Sequence, residues 1–258
     1  MIIEMQTLLA FVLVFCRMAA MILFNPLLSG RNITSWVRTI LVLCLTFLIA
    51  PQMLEHAPET LTNFGLIFEI AKELMVGIVC GFVFQIFYYL LIFAGDIMDI
   101  SFALSMAKVF DPGTNIQMSL SGKLLELLFV LYFFATDCHL VMIRIFTSSY
   151  DIIPLGEVLI GQETAGFIIE LFVSIFSLAI RLALPFVAAE FVLEIVMGVL
   201  MKLIPQINVF VLNIQLEILL GFVLLFLFTG PITNFTDHFM DNMLRMMEQA
   251  LYIMQNTG

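Results

Sequence analysis

The sequence predicts an all-α membrane protein with about six apolar helical regions, and three observations carry that prediction. Of 258 residues, 62% are apolar and only 12% are charged, against about 45–50% and about 25% in soluble domains. A chain this short has no core large enough to hide so much apolar surface from water. Runs long enough to cross a bilayer as a helix, about 20 residues each, recur along the whole length.

The first run, residues 8–28, follows a start that holds Glu4 and no basic stretch. This argues against a cleaved signal peptide, so the run is expected to stay as a helix. Pro26 and Gly30 close it. The second run, 37–54, ends at Pro51 and Pro58, and the third covers 64–93. A long connection, 94–123, turns at Asp111-Pro112-Gly113. The fourth run is 124–145, followed by a connection holding Pro154 and Gly156. The fifth, 167–201, is too long for one straight span, and Pro185 inside it predicts a kink or break. Pro205 separates it from the sixth, 209–230, which Gly230-Pro231 ends. Residues 1–230 therefore form a helical membrane domain. Residues 231–258 form an amphipathic helix, with Phe235, Phe239, Met243, Met246 and Ala250 on one face and Asp237, Asp241, Arg245 and Glu248 on another. Such a helix suits either the membrane surface or a partner subunit. Arg31, Arg38, Lys108, Lys123 and Lys202 fall in the first, third and fifth connections, against Arg144 and Arg245 on the other side, which favours both termini on the trans side.

Ten basic residues stand against twenty acidic ones, for a net charge of −10. Nucleic-acid binders need basic patches, which argues against nucleic acid as a partner, whereas the apolar composition calls for the lipid bilayer or other membrane-embedded subunits. Cys16, Cys44, Cys80 and Cys138 lie in apolar runs without CxxC spacing and read as buried thiols. The informative residues are the ionisable ones among the apolar runs: Arg17, Glu69, Lys72, Glu73, Asp96, Asp99, Glu126, Asp137, Glu170, Arg181, Glu190, Glu194 and Glu217. Asp96 and Asp99 follow the end of the third run. A charge at a helix centre costs about 2.5–3.5 kcal/mol on insertion scales. A dozen facing lipid would cost tens of kcal/mol, so most must face other helices, water or headgroups. Glu69 and Lys72 can pair at i,i+3. Glu190 and Glu194 are like charges at i,i+4 and need a cation or a proton from elsewhere. We expect Arg17, Glu69, Lys72, Glu73, Asp96, Asp99, Glu190, Glu194 and Glu217 to serve subunit contacts.

The middle connection mixes bulky apolar residues with turn formers from Phe102 to Asn115. It suits an ordinary loop with a short helix, or a segment that re-enters a protein-lined cavity and seals a pore by excluding water. An ion-coupled transporter using buried carboxylates would need repeated halves, and the sequence has none. No HExxH, GxSxG, Walker A or dinucleotide motif points to an enzyme or a cofactor. No His/Cys cluster has metal-ligand spacing.

Ser101-Phe102-Ala103-Leu104 leading to Asp111-Pro112 resembles the signature of the FliR family of flagellar biosynthesis proteins, related to the T component of virulence type III secretion. The resemblance continues at Cys138-His139-Leu140, from Ser148 to Pro154-Leu155-Gly156, at Leu184-Pro185, and from Ile204-Pro205-Gln206-Ile207-Asn208 to Val209-Phe210. Phe24-Asn25-Pro26 before Arg31 and Ala50-Pro51 also fit. The ordered set spans nearly the whole chain, and the Asp111-Pro112-Gly113-Thr114-Asn115 wording looks like the flagellar branch. The resemblance implies kinked helical hairpins buried in a hetero-oligomeric export gate of the inner membrane, within the flagellar basal body. It implies FliP-, FliQ- and FlhB-type partners and unfolded protein substrates. It also implies that the middle connection, about 100–123, acts as a plug, carried by Met106, Val109, Phe110, Asp111, Pro112 and Gly113.

Overall fold

The computed structural model describes residues 2–30, 33–56, 63–102, 119–156, 161–204 and 209–256. All the regular structure among them is helical. α1 (Ile2–Leu23) leads into the short α2 (Pro26–Ser29), capped by Asn25, whose Oδ1 accepts from the Leu27 and Leu28 amides at 3.0 and 3.3 Å. α3 (Ser35–Ile49) ends in a 3-10 turn, Ala50–His56, that takes in Pro51. α4 (Asn63–Ser101) is 39 residues long, and α5 (Leu120–Ala135) and α6 (Cys138–Ile152) follow. α7 (Gln162–Leu203) is 42 residues long. α8 (Val209–Leu227) and α9 (Thr229–Asn256) complete the chain.

Four of these helices are long and apolar enough to cross a membrane, and six spans result if each bent pair counts as one. The pairs are α5 with α6, bent by 72°, and α8 with α9, bent by 61°. The first bend sits at Asp137, held at φ +56° in the left-handed region. Three expectations need correction. The third run does not stop near residue 93: α4 continues to Ser101 and takes Asp96 and Asp99 into its last turns. Of the kink or break expected at Pro185, the break does not occur, and α7 runs on through it as one helix. Proline removes one backbone donor, but the long apolar flanks have no better use for their polar backbone groups than to stay helical. Gly230-Pro231 does not end a helix either. The break falls at Phe228, and Pro231 stands in the first turn of α9, where its missing N–H is no loss.

The chain divides into two compact units. The first comprises Met1–Phe87, Phe133–Phe172 and Met240–Gly258; the second comprises Tyr88–Tyr132 and Val173–Phe239. In the first unit α1 lies tight against α4 because α4 offers glycine at the crossing. A Cβ on Gly77 would come within 2.5 Å of Ala20 Cβ and of the Arg17 carbonyl, and one on Gly81 within 2.6 Å of Phe24 Cβ. The opposite flank of α1 receives α3, with Phe11 against Phe47 at 4.9 Å. The later part of α9 also belongs to this unit and buries Met243, Met247 and Leu251 completely. The apolar face of the C-terminal helix is thus covered by its own chain, while Asp241, Arg245 and Glu248 stay exposed. In the second unit Tyr88 packs edge-on against Phe129, Phe93 stacks on Phe176, and Phe102 meets Phe186, which meets Phe228.

Candidate functional site

Three groups of polar side chains stand out against the apolar background, and each is built by a different device. The first, in unit 1, gathers around the turn that follows α6. Arg17 on α1 and Glu73 on α4 are both fully buried, with Nε donating to Oε2 at 2.5 Å. Arg17 Nη1 donates to the carbonyls of Ser149 and Ile153, both at 2.9 Å. Its guanidinium carbon lies 4.4 Å from the centre of the Tyr150 ring, and Tyr150 in turn donates to the Val14 carbonyl at 3.0 Å. The other Glu73 oxygen accepts from the Gly156 amide at 3.1 Å. Lys72 donates to Glu69 at 3.1 Å and to the Gly156 carbonyl at 2.8 Å. Four charges that sum to zero therefore gather at this turn, and Glu73 and Lys72 hold Gly156 by its amide and its carbonyl. Gly156 has φ +83°, and a Cβ there would lie 2.6 Å from Glu69 Oε2, so both its conformation and its surroundings call for glycine.

The second group fixes the two ends of the middle connection. Asp99, 1% exposed, accepts from the Leu120 amide at 2.5 Å and from the Ser121 amide at 3.0 Å. It thereby satisfies the first free donors of α5 with a carboxylate, the charge that a helix N-terminus favours. Ser119 adds a 3.0 Å bond from the Gly122 amide. Gly95 and Gly122 face one another so closely that a Cβ on Gly95 would overlap the Gly122 backbone. On the α4 side, Phe102 is fully buried, and Gly221 of α8 leaves room for its ring. The residues expected to form a plug, Met106, Val109, Phe110, Asp111, Pro112 and Gly113, lie outside the described residues.

The third group is acidic. Glu190 and Glu194 stand one turn apart on α7, and Glu217 of α8 lies within electrostatic reach of both. Glu217 accepts from Asn213 at 2.5 Å. Among the described residues, no ion pair forms at any of the three.

The nine charges expected at subunit contacts thus separate. Arg17, Glu73 and Asp99 are consumed inside the chain and present almost no surface to a partner, which corrects that expectation for them. Glu69 and Lys72 form the i,i+3 pair that their spacing allows. Asp96, Glu190 and Glu217 are half-buried and Glu194 is exposed. Tyr150 and Ser149 are the partners that the charge pattern alone could not reveal. Another ion pair, Lys123 with Glu126 at 2.7 Å, continues to Tyr88 at 2.9 Å.

The chain is also similar to known proteins along most of its length. The family described as bacterial export proteins, family 1, matches residues 8–243. The chain belongs to this family. It is 25% identical over 235 residues to the flagellar biosynthetic protein FliR of Escherichia coli, covering 91% of this chain and 90% of that one. To the flagellar biosynthetic protein FliR of Bacillus subtilis it is 28% identical over 224 residues, 84% of each. It is also similar to the Yop proteins translocation protein T of Yersinia pestis, 27% identical over 226 residues, with 86% of this chain and 87% of that one covered. As a member of the bacterial export proteins, family 1, the chain is a multi-pass membrane component of an export apparatus. Its three polar groups all fall within the matched stretch.

Proposed function

We propose that this chain is a subunit of the flagellar type III protein-export gate, forming part of the channel through which unfolded flagellar proteins cross the bacterial inner membrane. The family match along residues 8–243 carries the reading. The polar groups give it a physical basis. Unit 1 neutralises its buried charges internally, whereas Glu190, Glu194 and Glu217 leave unit 2 with carboxylates that hydrocarbon cannot accept. FliP-, FliQ- and FlhB-type chains are the partners that cover them, and Asp96 joins the same set of contacts. The chain acts as a structural part of a conduit and not as a catalyst.

Met106, Val109, Phe110, Asp111, Pro112 and Gly113 then plug the closed channel. The tight fixing of Phe102 and Ser119 on either side supports this, because a plug needs rigid ends to return to one position. A virulence export system is the alternative, supported by the similarity to the Yersinia pestis protein. The Asp111-Pro112-Gly113-Thr114-Asn115 stretch favours the flagellar assignment.

The test is deletion of the gene in its own bacterium, with restoration from a plasmid. Loss of hook and filament proteins from the medium is expected, with FliP-, FliQ- and FlhB-type chains purifying together with a tagged copy. Normal flagella in the deletion strain would end the proposal, and loss of virulence effectors alone would move it to the alternative.

A further inference from the structure

Unit 1 turns one helix face outward that has no use for water. On α3 the exposed side chains Trp36, Val37, Ile40, Cys44, Phe47 and Leu48 recur at helical spacing and form one stripe, with Trp36 80% exposed and Phe47 65%. The polar groups beside it turn to backbone carbonyls of their own chain, although Arg38 Nε is buried without a partner. The Thr39 hydroxyl donates to the Ser35 carbonyl at 2.9 Å within the helix, and Arg38 turns back to the Ser29 carbonyl at 2.8 Å. No charged side chain is exposed along α3, where Arg38 is half-buried.

The contrast with α7 is chemical. Its exposed surface mixes Phe172 and Phe191 with Glu170, Arg181 and Glu194, a pattern that hydrocarbon rejects and a protein partner with matching charges accepts. α3 meets the opposite demand. The stretch Ser35–Leu54 counts 20 residues, about 30 Å at helical rise, which matches the hydrocarbon core of a bilayer. Its one aromatic with a polar N–H, Trp36, stands at the end where Arg38 also lies, the pairing found at membrane–water boundaries.

We propose that the outer stripe of α3 is a lipid-facing seam: acyl chains cover it from Val37 to Leu48, and Trp36 sits at the headgroup boundary. The inference concerns unit 1 alone and does not rest on the export-gate reading, whose failure would appear as undisturbed secretion and leave this stripe unaffected.

Trp36 is the only tryptophan of the chain, which supplies the experiment. The intact complex, purified with its native partners, is placed in nanodiscs of phosphatidylethanolamine and phosphatidylglycerol with either ordinary or brominated acyl chains. The signal is the emission of the wild-type complex minus that of the Trp36→Phe complex. Loss of most of this difference signal in brominated lipid is the expected result, and equal emission in both lipids overturns the proposal. A second measurement does not depend on that variant. Benzoylphenylalanine placed at Ile40 or at Leu48 in living cells should give lipid adducts and no protein adduct on illumination, whereas the same probe at Phe191 of α7 should capture a polypeptide. A discrete protein adduct at Ile40 or Leu48 overturns the proposal.

Discussion

Removing one member of the Arg17–Glu73 pair should cost far more than removing both. In Glu73→Ala the guanidinium stays fully buried without its carboxylate, and uncompensated burial of this kind costs about 3–5 kcal/mol. Arg17→Met strands the Glu73 carboxylate on the single Gly156 amide bond, at a similar cost of about 3–5 kcal/mol. In the double variant Arg17→Met/Glu73→Leu no charge is left. The Ser149 carbonyl keeps the Ile153 amide at 3.0 Å, and the Gly156 amide, at a part-exposed residue, can recover water. The Ile153 carbonyl is the one buried group that loses its partner, at about 1–3 kcal/mol. The double variant should therefore be more stable than either single one, and the two losses strongly non-additive. Cys80 reports this directly, because it is fully buried on α4. With the other three cysteines replaced by serine, maleimide labelling of Cys80 in the intact complex measures the open population. Each single variant should speed labelling by roughly two to four orders of magnitude, at about 1.4 kcal/mol per factor of ten. A double variant that labels as fast as the product of the two single effects would refute the reasoning, because the pair would then contribute nothing as a pair.

Gly156→Ala should destabilise unit 1 by about 1–3 kcal/mol through its left-handed backbone and should also displace Glu69. Faster Cys80 labelling, not relieved by Glu69→Ala, would identify the backbone as the dominant cost. Gly77→Ala should loosen the α1–α4 crossing by about 1–3 kcal/mol as an overpacked site. Gly198→Ala, with open space around it, should stabilise α7 by about 0.5–1 kcal/mol, and thermal melting of the complex distinguishes the two. Asp99→Ala removes two capping bonds and should cost about 0.5–2 kcal/mol, read as faster proteolysis between α4 and α5 with the complex still assembled. Deleting Lys108 to Gln117 should leave the complex intact and make cells leak ions; unchanged ion permeability would count against the plug.

The sequence revealed what depends on composition and on neighbours along one helix. Apolar runs marked most spans, and the Glu69–Lys72 pair followed from i,i+3 spacing. It did not reveal pairings across distance: Arg17 and Glu73 are 56 positions apart, and nothing local marks them as partners. It misled where one residue type has two uses. Asp96 and Asp99 read as the end of an apolar run, and an acid near a helix C-terminus is unfavourable for that helix. Asp99 is tolerated in the last turns of α4 because the amides it satisfies belong to the next helix, α5. Glycine was ambiguous for the same reason. Gly156 punctuates a turn, whereas Gly77, Gly81, Gly95 and Gly122 let helices approach closely, and spacing alone does not separate the two uses.

Where the charges are spent bears on how the chain joins an assembly. A buried pair made within one chain is complete before any partner arrives, so the Arg17–Glu73 clasp stabilises a fold that can exist ahead of assembly. An acidic trio without a cation is the reverse. Glu190, Glu194 and Glu217 repel one another, and carboxylates of this kind are tolerated at membrane depth only when paired or placed in a water-lined space. Neutralising them one at a time, as Glu190→Gln, Glu194→Gln and Glu217→Gln, should therefore stabilise the free chain and weaken its retention in the complex. A structural role confined to this chain could move the first quantity and would leave the second unchanged. Quantitative pull-down of the tagged chain with its partners, set beside its melting temperature alone in detergent, separates them. If each variant stays fully bound to its partners, the trio is not a docking surface, and the carboxylates must be kept for water inside the channel.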